Sequence, residues 1–284
     1  MPAFQNQATL SYNGISVTSN TVTGEIVDVL SVTKTAVPKT YTTGDEVTYV
    51  VNLINSGASP LTNLTLTDNL GTYTFGAGTA VPLTYMPESV AYFVNGVLQA
   101  APATVSDRTL TFSGINVPAG GTATVVYRAD VNGFAPLAAG GTIVNTVSAS
   151  GDGINTPVTA TETVTAGGAP RLSISKSVAP TTVTENGTLT YTFVIENTGN
   201  TAADASANIS VSDVFNPALN PVAVTFNGTT WTEGTNYTYT PANGTFATVP
   251  GQITVPAATF VQNPTTGEWT VTPGTSELVV SGTV

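Results

Sequence analysis

Apolar and polar residues alternate one by one through most of this chain. Leu30-Ser-Val-Thr-Lys34, Leu64-Thr-Leu-Thr-Asp68, Leu172-Ser-Ile-Ser-Lys176 and Ile209-Ser-Val-Ser-Asp213 all repeat with a period of two. That is the period of a strand with one buried face. Gly, Pro, Asn and Asp punctuate the runs at short intervals, and helical periodicity is nearly absent. Many short strands between turn signals predict an all-β fold of sandwich type. A length of 284 residues suits two Ig-like β-sandwich domains in tandem.

The alternating runs are not independent of one another. Leu30-Ser-Val-Thr-Lys34-Thr-Ala-Val-Pro38 reappears as Leu172-Ser-Ile-Ser-Lys176-Ser-Val-Ala-Pro180. Gly44, Tyr49, Asn55 and Gly57 then match Gly187, Tyr191, Asn197 and Gly199, and Asp68 matches Asp213 after a short insertion. Phe93-Val-Asn-Gly96 resembles Thr225-Phe-Asn-Gly228, and Val125–Val131 aligns with Leu278–Val284. The first copy continues beyond this point with two further arms, Ile143–Ala149 and Val158–Thr165, about a Ser150-Gly-Asp-Gly153 turn. The second copy stops at Val284. Residues 229–270 read as a Gly/Thr/Pro-rich insertion carrying Trp231 and Trp269.

The two arms absent from the second copy have counterparts at the start of the chain. Phe4-Gln-Asn6-Gln-Ala-Thr-Leu10 resembles Ile143-Val-Asn145-Thr-Val-Ser-Ala149, and Asn20-Thr-Val-Thr23 resembles Glu162-Thr-Val-Thr165. Asn13-Gly14 between them is a strong two-residue hairpin signal. The expected organisation is therefore an N-terminal donor hairpin (1–28), a complete sandwich (29–168) and an incomplete acceptor sandwich (169–284).

A sandwich without its last strands leaves backbone donors and acceptors unpaired, at about 1–3 kcal/mol for each buried one. A lone hairpin is marginal in water. Strand addition of the hairpin into the incomplete domain cures both defects. The segment Glu25–Leu30 spans at most ~20 Å, so closure within one chain requires the two domains side by side. Between chains the contact is heterologous and builds a filament unless its rotation closes a ring. A head-to-tail homopolymer is the leading expectation; self-closure, a small ring and a loose arm are the others.

Composition narrows the function classes. Only 8% of residues are charged, against 41% hydrophobic, and polarity comes from Thr, Ser and Asn. This is the composition of an extracellular or envelope β-protein. A net charge of −11 disfavours nucleic acid. No apolar run is long enough to insert in a membrane. No secretory signal is visible, so either a leader was removed or the protein assembles without ordinary secretion, as a spore-surface component would. The chain contains no histidine and no cysteine. With no nucleophile elbow and no phosphate-binding loop either, an enzyme is not expected. No cofactor and no metal site is expected, since no Asp-x-Asp-x-Asp-Gly loop occurs. A monomeric surface adhesin or glycan-binding module is the rival reading, with Tyr73, Tyr85, Tyr237, Tyr239 and Trp231 as candidate contacts and a host glycan or protein, or a surface anchor, as partner.

The chain has three lysines, and two of them, Lys34 and Lys176, hold the same repeat position. Each repeat adds one acid, Asp68 or Asp213, and each hairpin one amide, Asn145 or Asn6. Burial lowers a lysine pKa and frees the amine as a nucleophile. A desolvated carboxyl can polarise an amide and shuttle protons. These residues predict an intramolecular Lys34–Asn145 isopeptide bond promoted by Asp68. A matching intermolecular Lys176–Asn6 bond would be promoted by Asp213. An edge-strand lysine and a turn aspartate explain the same residues without any reaction.

Lys34-Thr-Ala-Val-Pro38, Gly44-Asp-Glu-Val-Thr-Tyr49, Asn55-Ser-Gly57 and Asn145-Thr-Val147 together resemble the domain of unknown function 11 repeat. The resemblance covers nearly the whole chain in permuted order. It implies a β-sandwich repeat of bacterial and archaeal surface proteins and implies no activity.

Overall fold

The computed structural model describes residues 3–25 and 27–284, which leaves Met1, Pro2 and Ile26 of the expected hairpin segment outside the described residues. The fold is all-β, with one 3-10 turn at Ala205–Ala207 among the described residues. Among the described residues no helix is long and apolar enough to cross a membrane. Backbone contacts divide the chain into two units. The first comprises residues 1–74, 79–132 and 143–164, and the second comprises residues 75–78, 133–142 and 165–284.

The chain opens with four short strands: β1 (Ala3–Asn6), β2 (Thr9–Tyr12), β3 (Ile15–Thr18) and β4 (Val22–Glu25). Strand β1 pairs with β4 and β2 with β3, so the segment is a hairpin. Its turn is Asn13-Gly14, and both residues adopt positive φ. A two-residue turn needs that conformation to match strand twist, and Asn-Gly tolerates it best. Phe4 lies opposite Gly24, and its ring occupies the space that a Cβ on Gly24 would need.

The first unit is a complete sandwich. One sheet runs β13 (Val97–Gln99), β12 (Ala91–Val94), β16 (Thr122–Val131), β7 (Glu46–Asn55) and β5 (Leu30–Val37), with β11 (Leu83–Tyr85) also on β16. The other runs β14 (Ala103–Ser106), β15 (Leu110–Val117), β8 (Leu61–Asp68), β17 (Thr142–Ser150), β18 (Val158–Ala166) and β6 (Thr40–Tyr41). A small separate hairpin pairs β9 (Tyr73–Phe75) with β10 (Gly78–Ala80). Alternate residues of both sheets, among them Val47, Tyr49, Val51 and Leu53 of β7, point into one core. Phe112 of one sheet meets Tyr127 of the other at 5.5 Å between ring centroids.

The second unit repeats this plan without its last pair of strands. Its first sheet is β19 (Leu172–Ala179), β20 (Thr188–Asn197), β28 (Gly274–Thr283), β22 (Val222–Phe226) and β23 (Thr229–Thr230). This reproduces the order β5, β7, β16, β12, β13. Its second sheet holds three strands, β21 (Ser212–Val214), β25 (Thr245–Thr248) and β24 (Tyr237–Thr240). These take the places of β8, β15 and β14, and among the described residues no strand takes the places of β17 and β18. A further hairpin joins β26 (Thr259–Gln262) to β27 (Trp269–Thr272).

The stretch 229–270 is thus only partly an insertion. Its β24 and β25 complete the second sheet, and Trp231, Tyr237, Tyr239 and Phe246 belong to the core cluster. Threonine-rich strands of four residues carry too little alternation to be matched to their counterparts by sequence alone.

The repeat survives in side-chain detail. Asn55 donates through Nδ2 to Ser59 O and Pro118 O and accepts the Gly57 N–H at 2.9 Å. Asn197 does the same with Thr201 O, Pro256 O and Gly199 N. Each asparagine ties off a loop by hydrogen-bonding its backbone groups from both sides.

Candidate functional site

Strand β5 places Lys34 on the inward face with Leu30 and Ala36, so its side chain crosses the core toward the opposite sheet. There Asp68 closes β8, opposite Val147 of β17. Asn145 lies two residues from Val147 and so shares the face of Asp68. Lys34, Asp68 and Asn145 are all buried. Nζ of Lys34 forms an ion pair and hydrogen bond with Oδ2 of Asp68. The same oxygen accepts the Tyr127 hydroxyl at 2.5 Å, and Oδ1 accepts the Leu70 N–H at 2.9 Å. Asn145 donates through Nδ2 to the Tyr127 hydroxyl at 3.3 Å. All three predicted residues therefore meet at one point, joined by a fourth, Tyr127.

Electrostatics at this point are set by desolvation. Burial pulls the Lys34 ammonium down to about 8, and the neighbouring Asp68 charge opposes the shift without cancelling it. Burial likewise drives the Tyr127 and Tyr49 phenols upward, so both stay protonated. Lys34 Nζ lies 4.8 Å from the Tyr49 ring centroid, and Tyr49 stacks on Tyr127 at 5.4 Å. The buried Asn145 Oδ1 has no hydrogen-bond partner. Orphaned groups in a dry interior cost about 1–3 kcal/mol each. A partly neutral amine, an acid and an amide with an unengaged carbonyl oxygen thus share one buried site.

The second unit holds the same pair in a different setting. Lys176 is ion-paired with Asp213. Its Nζ lies 4.6 Å from the Tyr191 ring centroid and 5.4 Å from that of Phe215. The Lys176 side chain is 40% exposed where that of Lys34 is 0%. No amide is hydrogen-bonded to this pair among the described residues. The whole of β19 is exposed, and Leu172 stands at 40% against 5% for Leu30. Strand β21 pairs with β25 alone and has three residues, whereas β8 has eight and partners on both sides.

The hairpin has the opposite deficiency. Phe4, Leu10 and Val22 are exposed, while Ile143, Ala149 and Val164, their counterparts in β17 and β18, are buried. Phe4 stands at 52% against 1% for Ile143. Asn6, the counterpart of buried Asn145, is exposed on β1. Strands β1 to β4 hydrogen-bond only to one another in the sheets described.

Tyr127 and Tyr49 were not anticipated as site residues. Tyr49 carries a signal, since it recurs as Tyr191. Tyr127 carries none, because Val280 occupies its place opposite Tyr191.

No protein-family model and no curated protein matches the chain. Among solved structures it is similar to BcpA, the major pilin subunit of Bacillus cereus. That match has 9% identity and a TM-score of 0.37, covering 96% of this chain and 73% of that one. The pilus backbone RrgB of Streptococcus pneumoniae matches at 12% identity and a TM-score of 0.34, over 86% and 55% of the respective chains. The collagen-binding domain of a Staphylococcus aureus adhesin matches at 12% identity and 0.30, over 49% and 99%. Likenesses at these scores carry no functional inference.

Proposed function

We propose that this chain is a structural subunit of a filament on a cell or spore surface, assembled head to tail by strand donation and locked by isopeptide bonds. The observation that carries the reading is a complementary pair of defects. The second unit has an unpaired β21 edge and an exposed β19, and the hairpin β1–β4 has an exposed apolar face with the pattern of β17–β18. In a filament the hairpin of one subunit enters the second unit of the next. The first arm adds to β21 as β17 adds to β8. Phe4, Ala8 and Leu10 then fill the positions of Ile143, Val147 and Ala149, and Asn6 fills that of Asn145.

The register sets the chemistry. In the first unit Lys34 Nζ attacks Cγ of Asn145, Asp68 handles the proton, and ammonia leaves. In the filament Lys176 attacks Asn6 of the incoming hairpin beside Asp213, and the junction becomes covalent. Docking itself supplies the desolvation that Lys176 lacks, because the hairpin covers the face on which it is exposed.

Electron microscopy of the purified chain is expected to show long fibres, and boiling in SDS a ladder of multimers. The variant Asn6→Ala keeps the fibres and loses the ladder. A ladder as strong as wild type in Asn6→Ala would falsify the intermolecular bond. The adhesin reading is favoured by no observation: Tyr85, Tyr237, Tyr239 and Trp231, four of its five candidate contacts, are buried.

A further inference from the structure

Resting on the crosslinking reading, we infer that Tyr127 is a catalytic residue of the intramolecular reaction: its hydroxyl carries the proton from Asp68 to the departing nitrogen of Asn145. The geometry is a chain of three contacts in one line of transfer. Lys34 Nζ donates to Asp68 Oδ2, the Tyr127 hydroxyl donates to that same oxygen at 2.5 Å, and Asn145 Nδ2 meets the Tyr127 oxygen at 3.3 Å. Aspartate, phenol and amide nitrogen are thus already in sequence, and no water is needed between them.

Such a carrier lowers the barrier of the slow step. An amide nitrogen is a poor base and a poor leaving group. Once Nζ has bonded to Cγ the carbon is tetrahedral, and Nδ2 regains a lone pair that accepts a proton. Asp68 Oδ2 takes one proton from Nζ. Tyr127 gives its hydroxyl proton to Nδ2 and takes a replacement from Asp68. The Cγ–Nδ2 bond breaks and ammonia departs. One N–C bond forms, one breaks, and a single proton moves from Nζ to Nδ2, with no other reactant consumed. The raised phenol pKa of buried Tyr127 suits this role, because the hydroxyl keeps its proton until the intermediate calls for it.

The second unit supplies a built-in control. There the residue opposite Tyr191 is Val280, where the first unit has Tyr127 opposite Tyr49. A chain variant at Tyr127 therefore has one site with an altered relay and one that never had it.

The test follows ammonia loss by intact mass and peptide mapping in full-length chain made in a cell-free system. Tyr127→Phe keeps the ring and removes the hydroxyl. It is expected to slow the Lys34–Asn145 bond by roughly a hundredfold, the usual scale of general acid–base assistance. The Lys176–Asn6 ladder is expected at wild-type yield. A ring-fluorinated tyrosine at position 127 keeps size and hydrogen bonding and changes only hydroxyl acidity, so its bond-formation rate shifts if the proton passes through it. A tyrosine that merely fills space leaves that rate unchanged. Wild-type rates in both variants overturn the relay while leaving the crosslink intact. A wild-type chain that loses no ammonia at Lys34 and Asn145 overturns relay and crosslink together.

Discussion

Burial sets the chemistry of Lys34 apart from that of an ordinary surface lysine. With a pKa of about 8 in place of 10.5, the amine is neutral in ~10% of molecules at pH 7 rather than ~0.03%. Bond formation is therefore expected to speed up with pH until about 8 and then level off, followed by intact mass across a pH series. The same shift bears on stability before the bond forms. Between about 8 and 10.5 the unfolded chain holds a proton on this lysine that the folded chain does not. Stability of an unlinked variant such as Asn145→Ala then rises with pH across that window, by roughly 3 kcal/mol at most. Denaturant melts at pH 7 and pH 9 check this as the difference from Lys34→Met/Asn145→Ala; both points lie below the range where Tyr49 and Tyr127, protonated in the fold and titrating in the unfolded chain, lower stability as pH rises. Removing Lys34 alone strands Asp68 without its counter-charge. Lys34→Met is expected to cost about 3–5 kcal/mol relative to the same unlinked background, and adding Asp68→Asn, which removes the charge and keeps an acceptor for the Leu70 N–H, to recover part of it. Three site residues were legible because lysine is rare here and the triad recurs across the repeat. Tyr127 was not, because its repeat partner is a valine and only the fold brings its hydroxyl to Asp68.

At the scale of elements, the lengths and burial of matched strands report what is missing. Strand β19 has the alternation of β5, yet its apolar residues lie open where those of β5 are covered. Strand β21 is cut to three residues on a sheet that ends beside it. The repeat made this legible, since a strand pattern that matches a buried one predicts a buried face wherever it recurs. What the repeat hid was the place of β24 and β25, which pair in the second sheet as β14 and β15 do but share no sequence with them. Sheet topology recovers that correspondence where side-chain pattern fails. The hairpin's own strength rests on its turn. Gly14 has φ +79°, a conformation that costs a residue with a Cβ about 1 kcal/mol. Gly14→Ala is thus expected to slow strand donation without affecting the melting of the first unit, measured by the lag before fibres scatter light. Phe4→Ser with Leu10→Ser removes the apolar side chains that the acceptor requires. That pair is expected to abolish fibres without affecting the proposed Lys34–Asn145 bond.

For the whole molecule, the proposed filament puts donor and acceptor in one chain, so that any copy both gives and receives. In that reading, deleting residues 3–25 removes the donor hairpin and leaves the open edge of β21. The shortened chain is expected to stay monomeric and to melt its second unit earlier than wild type, because β19 and β21 keep their exposed face and open edge. It also becomes a chain terminator. Added to wild-type subunits, it receives a hairpin and offers none in return. Growth then stops at one end, and mean fibre length shortens as the fraction of shortened chain rises. The link from wild-type Asn6 to the shortened chain's Lys176 still forms, so the terminal subunit survives boiling in SDS on the last rung of the ladder. Self-closure predicts otherwise: a chain that fills its own groove ignores the shortened copy, and neither fibre length nor the ladder changes on mixing. Electron microscopy and denaturing gels across a mixing series distinguish the two outcomes, and they do so with every subunit folded, since the first sandwich carries its own complete set of strands.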